Sequence, residues 1–133
     1  MSESPILSVE RRPIVVVLSP YRAKFASEKI RYWRYRQACI RHATAEGYAP
    51  YASHQMMTNA LDDDVDMERD AGFECEESYL RVARHVFAYE NLGISQGMHR
   101  TMQRLQELHV TGAAEATVVW WRLKDGEHGW RIS

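Results

Sequence analysis

The chain has 133 residues, of which 45% are hydrophobic and 26% charged, and its formal net charge is −1. These values are typical of one soluble globular domain. A near-neutral chain has no overall field that would favour nucleic acid or a membrane surface. Two cysteines, Cys39 and Cys75, are too few for a disulfide framework and indicate reduced thiols in a cytoplasmic protein.

Strand and helix patterns alternate along the chain. Residues Ile14 to Leu18 form an uninterrupted aliphatic run, which predicts a central parallel strand buried on both faces. Further strands are predicted near 48–52, 85–89 and 117–121. The alternation predicts an α/β fold of three layers, an open parallel sheet of four or five strands with helices on both faces. We expect a flexible arm at 1–12 that is no signal peptide, the domain at 13–124 and a tail at 125–133.

The first helix is predicted from about residue 23 to 46, ended by Gly47. Its expected buried stripe, with spacings of three and four, consists of Ala26, Ile30, Trp33, Gln37 and Ile40. Basic residues on another side could bind phosphates, but a solvated basic face is the favoured interpretation.

Polar residues follow the first two strands. In open α/β sheets ligands bind at the carboxyl ends of strands, so Ser19, Tyr21 and Arg22 after the first strand are candidate ligand contacts. The alternative is that Tyr21 packs and Arg22 is solvated. His54 after the second strand is either a ligand or acid–base group or the donor of a structural hydrogen bond.

An acidic stretch follows at 59–69. The alternation of Asp62, Asp64 and Asp66 is similar to a calcium loop, but the required glycine and distal glutamate are missing, so no metal site is expected. A helix is predicted from Phe73 to Arg84 after an interruption at Gly72. Its inner side is expected to carry Phe73, Leu80 and Ala83.

A helix start after the third strand predicts an anion site. Ser95 is placed to cap a helix that begins near Gln96 and ends near His109. Free backbone donors at Gln96, Gly97 and Met98, with a small residue at Gly97, suit a phosphate.

The ordered motifs resemble a known family. Val17-Leu-Ser-Pro-Tyr21, Ala49-Pro-Tyr-Ala-Ser-His54, Leu61-Asp-Asp-Asp64 and Gly93-Ile-Ser-Gln-Gly-Met98 together resemble the small nucleoside 2-deoxyribosyltransferase-like domains of phages and bacteria. That resemblance implies a Rossmann-like sheet, a nucleoside or nucleotide pocket, and cleavage of the N-glycosidic bond by an attacking glutamate. It implies that Tyr21 and Arg22 belong to the pocket, and that Ser95 and Gly97 hold a 5'-phosphate. It implies that Glu77 falls near the position of the family's assisting aspartate or asparagine.

One departure from this pattern shapes the functional prediction. The position of the nucleophilic glutamate is occupied by Thr101, whose hydroxyl is a poor nucleophile without an adjacent base. Thr101 is therefore expected to be a ligand contact in the pocket and not a catalytic residue. The sequence therefore predicts a nucleotide-binding domain without catalysis, which would suit sequestration of a host defence signal by a phage-type protein. The alternative is an N-glycosidase or deoxyribosyltransferase in which Glu77 or Glu90 supplies a relocated carboxylate.

A third, weaker alternative is an interaction protein that uses the basic helix and the acidic stretch. Of other partners, we expect no cofactor, no membrane and no direct contact with nucleic acid. The high aromatic content predicts a homo-oligomer, a dimer or higher.

Overall fold

The computed structural model describes residues 11–20, 25–53, 60–62 and 64–131. Within these ranges the chain alternates strands with helices, as the sequence predicts. The strands are β1 (Ile14–Leu18), β2 (Ala49–Tyr51), β3 (His85–Tyr89) and β4 (Thr117–Trp121). The helices are α1 (Ala26–Ala45), α2 (Asp66–Val82) and α3 (Gln96–Val110), and a 3-10 turn follows at Glu127–Gly129.

The four strands form one parallel sheet in the order β2-β1-β3-β4. From β1 the chain passes to one side to reach β2, and it then returns across β1 to β3. The strand order therefore reverses between β1 and β3, which makes their carboxyl ends the topological switch point. The predicted Rossmann-like open parallel sheet is confirmed.

Both faces of the sheet are covered. Val16 and Leu18 of β1 pack in the cluster formed with α2 and α3, whereas Val15 and Val17 pack with α1 on the opposite face. Since side chains alternate along a strand, burial of all four explains the uninterrupted aliphatic run. The prediction of a strand buried on both faces is therefore confirmed.

The predicted buried stripe of α1 is wrong in its first half, whereas Ile40 near its end packs against the core. Ile30 and Trp33 are 58% and 49% exposed, and Ala26 is exposed as well. The buried residues are Tyr35, Arg36, Ala38, Cys39, His42 and Ala43. Tyr35 and His42 can be buried because the polar atoms of both side chains have hydrogen-bond partners. The Tyr35 hydroxyl donates to Asn91 Oδ1 at 2.9 Å, and His42 Nδ1 lies 2.8 Å from the Tyr89 hydroxyl.

Helix α2 continues through Gly72 instead of being interrupted there. One glycine costs about 1 kcal/mol in a helix interior, which packing of the rest of the helix offsets. Asp66 and Glu68 lie in the first turn, where negative charges interact favourably with the positive helix end. Leu80 and Ala83 are buried as predicted, but Phe73 is 43% exposed beneath the Arg100 guanidinium, which lies 4.5 Å from its ring centre.

The segment after β4 contributes to the core. Trp130, in the region predicted to be a tail, is 2% exposed, and its ring centre lies 4.6 Å from that of Tyr35. Tyr35 and Trp130 are thus buried within the chain, while Trp33 and Trp120 remain about half exposed. No helix in the described ranges is long and apolar enough to cross a bilayer.

Candidate functional site

The candidate site lies at the carboxyl edge of the sheet. Ser19 follows β1 directly and is buried, so its place beside the switch point agrees with the predicted position. Three of the predicted ligand contacts, Tyr21, Arg22 and His54, lie outside the described residues.

The start of α3 has the predicted cap. Ser95 is the N-cap in extended conformation, and its hydroxyl oxygen accepts a hydrogen bond from the Met98 amide at 3.2 Å. The amides of Gln96 and Gly97 belong to the first turn, where no intrahelical acceptor exists. Among the described residues, a Cβ added at Gly97 would meet only the Ser95 hydroxyl, at 3.8 Å. The Met98 side chain packs in the core and its amide is taken by Ser95, so Gln96 and Gly97 are the predicted donors that lack an intrahelical partner.

A glutamate that the sequence reasoning missed lies beside this turn. Glu76 of α2 accepts a hydrogen bond from the Thr101 hydroxyl, with 2.6 Å between Thr101 Oγ1 and Glu76 Oε1. The Ser53 hydroxyl, just beyond β2, donates to the other carboxylate oxygen, Oε2, at 3.0 Å. Residues from α2, α3 and the end of β2 thus converge on one carboxylate.

Burial raises the pKa of Glu76, because removal from water disfavours the ionised carboxylate. Hydrogen bonds from Thr101 and Ser53 and the positive charge of Arg100 act in the opposite direction and are outweighed. Among the described residues no cation forms an ion pair with Glu76. The fold therefore holds this carboxylate at a cost, as is typical of groups kept for function.

The two predicted catalytic carboxylates are both engaged by arginines. Glu77 accepts from Arg104 Nε at 2.5 Å and from Arg81 at 3.1 Å, and these donors lower its pKa. Glu90 pairs with Arg122 at 3.2 Å. Adjacent helical residues point about 100° apart, so Glu77 faces a different side of α2 from Glu76.

Glu76 was detectable from the sequence. It lies three residues after Phe73 and four before Leu80, which are the spacings of one helix face. The predicted inner side of this helix contained Phe73, Leu80 and Ala83, so Glu76 belonged to it. A glutamate on an expected inner stripe was the signal, and the choice of Glu77 missed it.

Tyr51 lies at the end of β2 and interacts with Glu76. Its ring stacks on that of Tyr79 with centres 3.8 Å apart and planes 8° apart. Its hydroxyl is buried without a hydrogen-bond partner in the described part of the chain. Burial, followed by the negative charge of Glu76, raises the pKa of Tyr51, so the phenol stays neutral and can donate a hydrogen bond.

Metal ligands do not cluster in the described ranges: no group of three or more His, Cys, Asp or Glu side chains could hold an ion there. In the acidic stretch, Asp62 Oδ1 accepts from the Asp64 amide at 2.9 Å, and Asp66 pairs with Arg69 at 2.8 Å. These carboxylates make local contacts that stabilise the turn and the start of α2.

A cleft lies at the opposite edge of the sheet. This cleft has a volume of about 460 Å³ and is lined by Arg12, Pro13, Ile14, Val82, Ala83, Arg84 and Glu115. The residues precede β1, β3 and β4 or end α2. Ligands of parallel α/β sheets bind at the carboxyl edge instead, and the half-buried Glu76 lies there.

Comparison with known proteins identifies a family but gives no function. Neither the curated proteins nor the solved structures gave a match to this chain. Residues 13–113 match the model of a family described as a domain of unknown function, DUF7768. The matched region extends from the start of β1 to the turn after α3 and thus includes Ser53, Glu76, Ser95 and Thr101. The chain therefore belongs to the DUF7768 family.

Proposed function

We propose that the protein binds a nucleotide or a nucleotide-derived small molecule at the carboxyl edge of the sheet. The observation that carries the proposal is the Glu76 carboxylate, which is held by two hydroxyls beside the switch point without a cation among the described residues. An ionised carboxylate offers about four acceptor positions, and two of these are used by Thr101 and Ser53. Hydroxyl groups of a sugar are suitable donors for the rest, and such charge-assisted bonds are strong.

The start of α3 is the proposed binding site for the phosphate of this ligand. The first turn at Gln96 and Gly97 offers backbone donors and the positive end of the helix dipole. The Ser95 oxygen already accepts from the Met98 amide, and its hydroxyl hydrogen remains available to donate to a phosphate oxygen. Arg22 is proposed to add a bidentate contact from the neighbouring strand end.

Analysis of co-purified small molecules tests this proposal. The protein is purified without added nucleotide and denatured, and the released molecules are identified by mass spectrometry. A nucleotide-type molecule present in stoichiometric amount with the wild type and depleted with Glu76→Gln would support the proposal. A stoichiometric ligand that contains neither a sugar nor a base would contradict it.

A second candidate function is cleavage of the N-glycosidic bond with Glu76 as the relocated carboxylate. The observation that favours it is the 2.6 Å contact to Thr101, since it brings a carboxylate to the position where the resembled family has its attacking glutamate. A Glu76 oxygen would bond to the anomeric carbon as the C–N bond breaks, and the base would leave with the electron pair and take up a proton. Water would then hydrolyse the glycosyl ester and release the sugar phosphate.

Incubation with the four 2'-deoxynucleoside 5'-monophosphates separates the two functions. Free base released by the wild type and by Glu77→Gln, but not by Glu76→Gln, would establish cleavage by Glu76. Binding of a monophosphate without release of base would support binding without catalysis, a property suited to sequestration of a nucleotide-derived signal. Release of base that persists in Glu76→Gln would refute the role given to Glu76.

We also propose that the chain forms a homo-oligomer. Trp33 of α1 and Trp120 of β4 keep about half of their surface exposed, and large aromatic residues at a surface are typical of interfaces. Light scattering at micromolar concentration tests this directly. A mass of 15.5 kDa, that of the single chain, would contradict it.

A further inference from the structure

We propose that Thr101 and Ser53 are positioning residues, whose hydroxyls fix the orientation of the Glu76 carboxylate and leave its remaining lone pairs free for the ligand. The sequence analysis predicts Thr101 as a ligand contact without chemistry and assigns it no part in orienting another residue. This inference rests on the proposed function for the identity of the ligand, but the geometry itself can be tested on the free protein.

The two donors act on different oxygens of the carboxylate. Thr101 binds Oε1 from α3, and Ser53 binds Oε2 from the end of β2. The terminal torsion of a glutamate is broad and roughly two-fold, so an unsupported carboxylate rotates over a wide range. Donors from two separate elements restrict that rotation.

The proton of the Thr101 hydroxyl is directed to Glu76. The hydroxyl has one hydrogen and two acceptors in reach, Glu76 Oε1 at 2.6 Å and the Gly97 carbonyl at 3.2 Å. The shorter contact leads to the charged acceptor, which also forms the stronger bond. Thr101 is 7% exposed, so water competes little for this donor.

Few other titratable groups interact with the carboxylate in the described part of the chain. Arg100 of α3 favours its charged form, and Tyr51 of β2 is a neutral phenol whose titration lies far above neutral pH. Loss of either hydroxyl donor should therefore shift the titration of Glu76 without interference from another group that titrates nearby.

The experiment replaces the donors one at a time. Thr101→Val keeps the shape of the side chain and removes the hydroxyl, Ser53→Ala removes the donor on the other side, and Thr101→Ser restores a hydroxyl. The ¹³C signal of the Glu76 carboxyl is followed by NMR against pH in the absence of ligand. We expect Thr101→Val and Ser53→Ala to raise the pKa of Glu76 above that of the wild type, because each removes a bond that favours the charged form. Thr101→Ser should restore it toward the wild-type value.

A matched control shows that the effect is local. Thr44 of α1 donates its hydroxyl to the Ile40 carbonyl at 2.8 Å and lies on the other face of the sheet. Thr44→Val should therefore leave the Glu76 titration unchanged. If Thr101→Val does not fold, Ser53→Ala carries the same test from the other oxygen. An unchanged Glu76 titration in the folded donor variants would overturn the positioning role.

Affinity measurements test whether the orientation of the Glu76 carboxylate matters for ligand binding. At a pH where wild-type Glu76 is ionised, we expect Thr101→Val to bind 2'-deoxynucleoside 5'-monophosphates roughly tenfold more weakly, the loss that corresponds to one hydrogen bond to a charged group. Equal affinities of the wild type and Thr101→Val, with a shifted titration, would show that the orientation of Glu76 does not serve the ligand and would overturn the inference. No binding by the wild type, with a shifted titration, would refute the proposed function and support the positioning geometry.

Discussion

Replacement of Glu76 by glutamine should stabilise the protein at neutral pH. Glutamine has nearly the same shape, can accept the Thr101 hydrogen bond through its carbonyl and can donate its amide to the Ser53 hydroxyl oxygen. It keeps both contacts and carries no charge. Since burial raises the pKa of Glu76, the ionised side chain is less stable in the fold than in the unfolded chain, and the uncharged replacement avoids that penalty.

The expected gain is small because two larger quantities nearly cancel. Hydrogen bonds to the charged carboxylate contribute roughly 1.5–3 kcal/mol each, against about 0.5–1.5 kcal/mol for neutral ones. Replacing the carboxylate by an amide therefore weakens the bonds to Thr101 and Ser53 by roughly 2–3 kcal/mol together. Desolvation of the ionised carboxylate costs several kcal/mol, and the raised pKa shows that this term is larger. We therefore expect a gain on the order of 1 kcal/mol, or a rise in Tm of about 4 °C for a domain of this size.

The gain should depend on pH. A group whose pKa is higher in the folded than in the unfolded chain weakens the fold as pH rises through the folded value. Below the ordinary glutamate value of about 4.3 both states are protonated, and wild type and Glu76→Gln should be equally stable apart from their hydrogen bonds. Urea unfolding of both proteins between pH 4 and pH 8 measures the difference.

Glu77→Gln is the matched control, because the same change is made one residue away. Arg104 and Arg81 lower the pKa of Glu77, so ionised Glu77 stabilises the fold above its unfolded pKa and this contribution is lost as pH falls. Glu77→Gln should therefore lower stability slightly at neutral pH, the opposite sign. A Glu76→Gln protein that is less stable than wild type at pH 7, or a gain that does not fade at low pH, would refute the reasoning.

Three further predictions address the phosphate site, the helix cap and the core. Arg22→Ala should weaken binding of a 5'-monophosphate by roughly 1.5–3 kcal/mol and affect the nucleoside far less; equal losses by calorimetry would exclude a phosphate contact. Ser95→Ala should destabilise the chain by about 1 kcal/mol in urea unfolding, because loss of the side-chain acceptor leaves the Met98 amide unpaired. Ser95→Thr keeps a hydroxyl acceptor and should retain the stability of the wild type. Trp130→Ala should cost roughly 3–5 kcal/mol, since the indole is buried against Tyr35; a loss below 1 kcal/mol would show that residues after β4 are a loose tail.

The sequence predicts the sheet well because its signals are local. The aliphatic run of β1, the boundaries of β3 and β4 and the Ser95 cap each follow from a few neighbouring residues. The face of α1 was not predictable in this way. Its buried side depends on contacts of Tyr35 with Asn91 and of His42 with Tyr89, which join residues far apart in the chain.

The site was predicted in part for the same reason. The start of α3 is encoded locally, and the structure confirms the cap at Ser95. The Glu76 cluster joins β2, α2 and α3, so which of two adjacent glutamates faces Thr101 depends on the rotation of α2 against its neighbours. Helix periodicity indicated that rotation through Leu80, whereas the assignment by family position selected Glu77.

Calorimetric titration of the wild type, Glu76→Gln and Glu77→Gln with 2'-deoxynucleoside 5'-monophosphates tests the central claim most directly. If Glu76 faces a nucleotide-type ligand at the carboxyl edge, the wild type and Glu77→Gln should bind at least one monophosphate with similar affinity. Glu76→Gln should bind it roughly tenfold or more weakly, because bonds to a charged acceptor become neutral ones. Equal affinity in all three proteins would contradict the role of Glu76, and no heat of binding for any monophosphate with the folded wild type would contradict the proposed ligand class.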